Sequence, residues 1–235
     1  SCNATGSAIG ARWFEGDITV ALKAPPMSIS GKLIVGKDEI QGWTFWYVQV
    51  DVQLPAGIPV GATGASIYGF SGGFGKNVSL NVTDTFARHL NTANPVSPQR
   101  GSFVFMAGVT VGTAFDNGFV LNTDVALFVE IPGPVIILNG QAWLLTPRTD
   151  RSDPPFIVVD IIYDGNQKLF VFSLTARYKI NKDDGKVIDA GGSIEVLVSP
   201  DDWHVYMGTK SNPIMAEILS IVRASVYVMF GTQVP

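Results

Sequence analysis

The sequence holds very few of the residues on which most catalytic and metal chemistry depends. In 235 residues there is one cysteine, Cys2, and two histidines, His89 and His204. A single thiol allows no internal disulfide and no thiolate metal cluster. Two histidines without cysteine fall short of most zinc sets, so no metal and no cofactor is expected. Charge is scarce too: charged residues make up 15% of the chain, and sixteen Lys plus Arg stand against twenty Asp plus Glu, a net of −4. Nucleic-acid binding needs a basic stripe, and none is present. No window has the uninterrupted apolar length of a transmembrane helix, and no basic-then-apolar signal segment opens the chain. Ser1 precedes Cys2, which reads as a bland terminal thiol rather than a lipid-modified first residue. The abrupt ends at Ser1 and Pro235 suggest a piece of something longer or a processed form.

What is plentiful is apolar alternation broken by glycine and proline, of which there are 25 and 14. The stretch Gln41–Gly75 organises the rest. Trp43, Phe45, Tyr47, Gln49, Asp51 and Gln53 point one way along a strand, and Thr44, Trp46, Val48, Val50, Val52 and Leu54 the other. The second face is apolar and is expected to be buried; the first turns from aromatic to polar. Pro55, Gly57, Pro59, Gly61 and Gly64 are expected to break the strand. A second apolar run, Ala65–Phe70, ends in Ser71–Gly75, where dense glycine suits tight bends or the close approach of another strand.

Period two continues through nearly the whole chain. Phe14, Ile18, Val20 and Leu22 share a face opposite Glu15, Asp17 and Thr19, and Met27–Val35 gives a short strand after Pro25-Pro26. Thr83–Leu90 suggests a short helix, and Pro95–Gly101 a loop and the best internal boundary. Asp116-Asn117-Gly118 and Asp184-Gly185 are hairpin turns with positive φ. Leu121, Val125, Leu127, Val129 and Ile131 are expected inside, with Asn122, Asp124 and Glu130 outside. Val135–Thr146 reads as one strand with Gly140 on its buried face. Phe156–Tyr163 reads as a strand buried on both faces, and Phe170, Phe172, Leu174, Ala176 and Tyr178 as another inner row. Ile214–Val222 fits a strand and also a helix. The fold class is therefore all-β: long antiparallel strands in an extended twisted meander or sandwich, with at most one short helix. The chain divides at 1–94 and 95–235, or forms one continuous domain.

Some motifs carry candidate chemistry. Gly69-Phe70-Ser71-Gly72-Gly73 matches the G-x-S-x-G elbow, with His204 and Asp124, Asp160 or Asp164 in the required order. No helical spacing follows Ser71, so a glycine-rich strand end is the simpler reading. Trp203-His204 reads as an aromatic pair with a satisfied imidazole. Asn181, Asp183, Asp184, Gly185 and Asp189, or Asp201 and Asp202, lack the alternating ligands and closing Glu of a calcium loop. Asn3, Asn77 and Asn81 open glycosylation patterns that matter only in a eukaryotic secreted protein. The aromatic residues Trp43, Phe45 and Tyr47 form the one candidate binding face, for sugars or an apolar ligand; packing against a neighbouring sheet explains them as well.

The runs PAGIPVGATGASIYGFSGGFG, GSFVFMAGVTVGTAFDNGFVLN and DDWHVYMGTKSNP…SVYVMFGTQVP, which span most of residues 44–235, resemble a β-rich module of very large, repeat-bearing, uncharacterised bacterial cell-surface proteins. The resemblance implies a segment of a giant surface or secreted protein and carries over no functional residue.

The expected function is a non-catalytic structural or interaction module of an extracellular or cell-surface assembly. Its partners would be other chains or flanking modules, with no nucleic acid, and any membrane association would not use a transmembrane helix. The alternatives are a carrier of lipid or a small apolar ligand on an apolar sheet face and, last, a serine hydrolase using Ser71. An outer-membrane barrel needs apolar-out, polar-in alternation; the apolar rows read as inner, and Phe156–Tyr163 apolar on both faces, point away from it.

Overall fold

A computed structural model of the chain describes residues 2–8, 11–23, 26–83, 87–151, 153–182 and 185–232. Side chains are described there except at 2–8, 11, 23, 26, 181, 182, 185 and 186. The described residues contain strands and no helix. The first half holds β1 (Cys2–Ala8), β2 (Ala11–Lys23), β3 (Pro26–Asp38), β4 (Thr44–Pro59), β5 (Ala65–Leu80), β6 (Val96–Thr113) and β7 (Leu121–Ile131). The second holds β8 (Val135–Leu144), β9 (Ile157–Asp164), β10 (Leu169–Lys182), β11 (Gly185–Val198) and β12 (Trp203–Met207), then β13 (Ile214–Ile218), β14 (Val222–Val226) and β15 (Val228–Gly231).

All fifteen belong to one antiparallel sheet in which each strand from β1 to β12 pairs with its neighbours in sequence. β12 pairs with one half of β11 and β13 with the other, so the two run end to end. β14 and β15 pair with β13 and β12 in turn and form the last edge. No pairing joins β1 to β14 or β15 among the described residues, so the sheet is open.

Register carries each face across the sheet as continuous rows. One outward row runs Val50, Gly72, Ala107, Leu127, Leu138, Ile161, Phe172, Val196, Val205. The inward row beside it runs Ser30, Asp51, Ser71, Gly108, Ala126, Asn139, Asp160, Ser173, Glu195. One is apolar throughout; the other is polar or small at every position.

The polar face is the concave one. The connection between β5 and β6 lies across it: Lys32 Nζ on β3 donates to Ala93 O, while the Arg88 amide donates to Glu195 on β11. Arg88 and Ala93 are at most about 18 Å apart along the chain. β3 and β11 are eight strand spacings apart, about 38 Å on a flat sheet. The sheet must curl around this connection, here called the strap.

This corrects the sidedness expected from the sequence. Leu127, Leu138 and Phe170 are exposed at 42%, 38% and 40%, whereas Asp160, Asn122 and Glu195 are buried at 0%, 0% and 3%. On β4 the face expected inside is the outer one, with Val48 and Val50 exposed, and Phe45 and Tyr47 are buried. β9 is not buried on both faces: Tyr163 is exposed and Asp160 faces in. Gly140 likewise pairs into an outward row, opposite Val125 and Val159. The sequence reading assumed a second layer over the apolar face, and the described residues supply none.

The apolar core is small and lies where strap and sheet ends meet the concave face. Ile34, Phe45, Tyr47, Val78, Val96 and Val104 make one cluster; Leu90 of the strap packs with Phe128, Ile137, Ile162, Val171 and Leu197 in another. Local expectations change as well. β5 runs on through Ser71–Gly75, because its inward glycines leave space for β4 side chains; a Cβ on Gly73 would lie 2.8 Å from Tyr47 Oη. Val96–Gly101 is not a loop but the start of β6, with Val96, Ser97 and Pro98 paired to Leu80, Ser79 and Val78. The expected helix falls partly on 84–86, outside the described residues, and Ala87–Leu90 are not helical. Ile214–Val222 is a strand, a turn and the start of the next strand.

At the β6–β7 turn Asn117 and Gly118 have φ of 59° and 78°, as the sequence requires; Asp184, of the other expected turn, lies outside the described residues. A Cβ on Gly118 would meet Arg148 Cδ at 3.3 Å. Gly118→Val is expected to cost about 1–3 kcal/mol, on the scale of backbone strain, read as a lowered thermal midpoint. An unchanged midpoint would contradict the turn.

Candidate functional site

The concave face offers the only dense grouping of polar side chains among the described residues, and the strap organises it. A β-bridge between Val82 and Leu90 closes the strap's neck, and Thr83 Oγ1 accepts from the His89 amide. This holds Arg88 and His89 against β9–β11. His89 Nδ1 lies 2.5 Å from Asp160 Oδ2, and Nε2 lies 3.0 Å from Thr175 Oγ1. With the carboxylate holding the proton on Nδ1, Nε2 accepts from the Thr175 hydroxyl, whose oxygen lies 2.9 Å from Ser193 Oγ. Asn139 Nδ2 donates to the other Asp160 oxygen at 2.8 Å.

Glu195 makes the second anchor. Its carboxylate accepts from the Arg88 amide at 3.0 Å and the guanidinium at 3.2 Å. His204 Nε2 lies 2.9 Å from Glu195 Oε1, and its ring stacks on Tyr206 at 4.0 Å. The satisfied imidazole expected at His204 is thus present, though its ring partner is Tyr206 and Trp203 faces outward. The strap's Ala87 has φ of 55°, a left-handed conformation that non-glycine residues seldom adopt. The two carboxylate anchors hold the chain in it.

A second loop, residues 145–156, covers the far end of the concave face. Arg148 lies over the Tyr68 ring at 4.4 Å and Arg151 over Trp143 at 4.2 Å. Arg151 pairs with Asp124, which accepts from Thr110, which in turn accepts from Gln53. Between this loop and the strap lies a polar cavity of about 190 Å³ lined by Gln49, Asp51, Asp124, Asn139 and Gln141. Burial, aided by the charge of Asp124, pushes the Asp51 carboxyl above its ordinary value, although Gln49 donates to it. Burial likewise raises the Glu130 carboxyl, against the Leu80 amide that donates to it.

The aromatic residues singled out in the sequence belong to the core beside this site. Phe45 and Tyr47 are buried, and Trp43, half-buried, packs on Phe45 at 5.9 Å between ring centres. Ser71 lies in mid-strand on the inward row between Asp51 and Gly108, with β5 continuing to Leu80. The strand–turn–helix geometry of a nucleophile elbow is absent there. Asp183 and Asp184 lie outside the described residues, and Asp202 accepts from Thr232. No group of three or more His, Cys, Asp or Glu suited to a metal occurs among the described residues.

The sequence reading missed the Asp160–His89–Thr175 chain, whose members come from three elements distant in sequence. One signal was available: Asp160 interrupts the apolar run Ile157–Tyr163, and a buried carboxylate requires a partner. The order carboxylate–imidazole–hydroxyl is the one used to activate nucleophiles. Here the hydroxyl is bonded onward and lies in the middle of β10 beneath the strap, so the chain fastens strap to wall. A fluorophosphonate is expected to label neither Ser71 nor Thr175, by mass spectrometry, and Ser71→Ala to leave the thermal midpoint unchanged. Stoichiometric labelling of either residue would establish a nucleophile. Comparison with family models, with curated proteins and with solved structures gave no match.

Proposed function

We propose that the chain is a non-catalytic structural module of a larger extracellular or cell-surface assembly, contributing a length of curved sheet that neighbouring strands extend. The observation that carries this is the open meander, whose two edges are unpaired among the described residues. The last edge carries one charged residue, Arg223 on β14, and runs on through Ala224–Phe230 without another; Val226 and Phe230 are both 57% exposed. Edge strands of free-standing proteins are normally blunted by Lys, Pro or a bulge. Partner strands, from flanking modules or other chains, would complete the ladder.

The test compares two pairs of lysine substitutions by light scattering. The wild-type chain is expected to self-associate through its edges, and Val226→Lys with Val228→Lys to remain folded and become monomeric. Leu127→Lys with Leu138→Lys, in mid-sheet, leaves the edge intact and should not abolish edge association. A wild-type chain that is monomeric at high concentration would overturn the proposal.

A carrier is the second reading, favoured by one feature. The outward face opens a cleft of about 500 Å³ between β10–β11 and β13–β14, lined by Phe156, Leu174, Tyr178, Ile194 and Ile214. A carrier would bind a fluorescent fatty acid with one-to-one stoichiometry, and Ala190→Trp would block it.

A further inference from the structure

The outward face is what an aqueous protein covers with a second layer, and here none of the described residues forms one. In the regularly paired rows, the described side chains include three outward charges, Arg12, Lys37 and Lys76. All three lie at one end of the sheet, where Arg12 pairs with Lys37, Lys37 with Thr44, and Lys76 with Trp46. Just inside this end, one row carries Phe74, Phe105, Tyr163, Phe170 and Trp203. Trp46 lies beside it, 5.2 Å from Phe74. Beyond this belt the rows are apolar or small to the opposite end, apart from Tyr178 on β10.

The height of the band can be compared with known layers. β7 keeps its apolar side from Leu121 to Ile131, eleven residues, or about 33 Å along the strand. At the 35–45° tilt of barrel strands this is about 25 Å, the height of the apolar band on membrane-spanning sheets. Inside the curl the rows are polar, with Asn122, Asn139, Asp160 and Glu195 buried.

We propose that this convex face is a lipid-contacting surface, occupied by the acyl chains of a bilayer, with the cationic and aromatic end at the headgroup level. One alternative fits less well. A covering protein layer would not require the cationic and aromatic residues to gather at one end, or the band to have this height. Aromatic residues concentrate at membrane interfaces because their rings span apolar and polar regions, and Arg and Lys favour anionic headgroups. Lipid also requires every backbone group to be paired, so the two free edges need partner strands. The inference deepens the structural reading above and rests on it for that edge completion.

The test uses the full chain with Cys2→Ser, mixed with phosphatidylcholine vesicles containing phosphatidylglycerol. Nitroxides are placed at Leu127→Cys, facing out, and at Ala126→Cys, facing in. The chain is expected to float with the vesicles. The label at 127 should respond to dioxygen and be shielded from a water-soluble nickel chelate, and the label at 126 should not show this contrast. Leu138→Asp, at an exposed position, should reduce vesicle capture at least about tenfold while circular dichroism stays that of the folded sheet. A chain that does not float, or a label at 127 open to nickel, overturns the proposal. A label at 127 closed to both reagents also overturns it, because protein then covers the face. The edge substitutions measured by light scattering report separately on the structural reading.

Discussion

Tyr47→Ala is expected to lower the free energy of unfolding by about 3–5 kcal/mol, the range for truncating a fully buried aromatic residue. Tyr47 has no exposed surface and packs with Ile34, Phe45, Val78 and Val104 where β3, β4, β5 and β6 meet. Its hydroxyl donates to Gln49 Oε1 at 3.0 Å, and Gln49 Nε2 donates onward to Asp51 at 3.1 Å. Tyr47→Phe keeps the ring and should cost only about 1 kcal/mol, the worth of one hydrogen bond. The two variants differ in pH dependence as well. Burial, then the charge of Asp51, pushes the phenol well above its ordinary value. A raised folded value means that this contribution is whole below about pH 10, the unfolded value, and is lost as pH rises beyond it. Tyr47→Phe should flatten that alkaline loss in chemical denaturation; identical curves would show that Tyr47 ionises freely.

The second large effect is expected at Glu195. Glu195→Ala removes the buried carboxylate that Arg88 and His204 share, and should cost about 3–5 kcal/mol, the scale for breaking a buried pair. Adding His204→Phe should recover part of this, because the imidazole that bonded Glu195 is then gone too. A double-mutant cycle reads the coupling directly. A cost below about 1 kcal/mol for Glu195→Ala would mean that the carboxylate is solvated as a surface group is.

Alternation made much of this fold legible. The residues sharing each face of β4, β7 and β10 are those the sequence grouped together, because side chains on any strand alternate. Inside and outside are a different matter. Val48 and Tyr47 are both apolar, and nothing local says which of them meets water. The sequence reading gave the larger apolar face to the interior, a rule that holds when a chain covers its own core. The glycines of Ser71–Gly75 allowed two readings, tight bends or the close approach of another strand, and the second holds: Gly73 is an inward position where Tyr47 lies across the strand. The clasp at His89 was illegible because its partners are set by curvature. Asp160 and Thr175 reach His89 only once the sheet has curled under the strap.

The order of the strands has a consequence for how such a shell comes into being. Every strand from β1 to β12 neighbours the one before it in the chain, so each hairpin closes a short loop at small entropic cost. The sheet is then nearly one-dimensional, its stability a sum over adjacent pairs, as in solenoids. Assembly can begin at any hairpin and zip outward in both directions, with the low contact order that makes folding fast. The strap is the exception. It reaches β3 through Ala93 and β11 through Arg88, so it can dock only after the intervening strands have formed and curled. Closing the clasp is therefore a late event, and exchange protection at the Arg88 amide, which donates to Glu195 on β11, would report that the shell is complete.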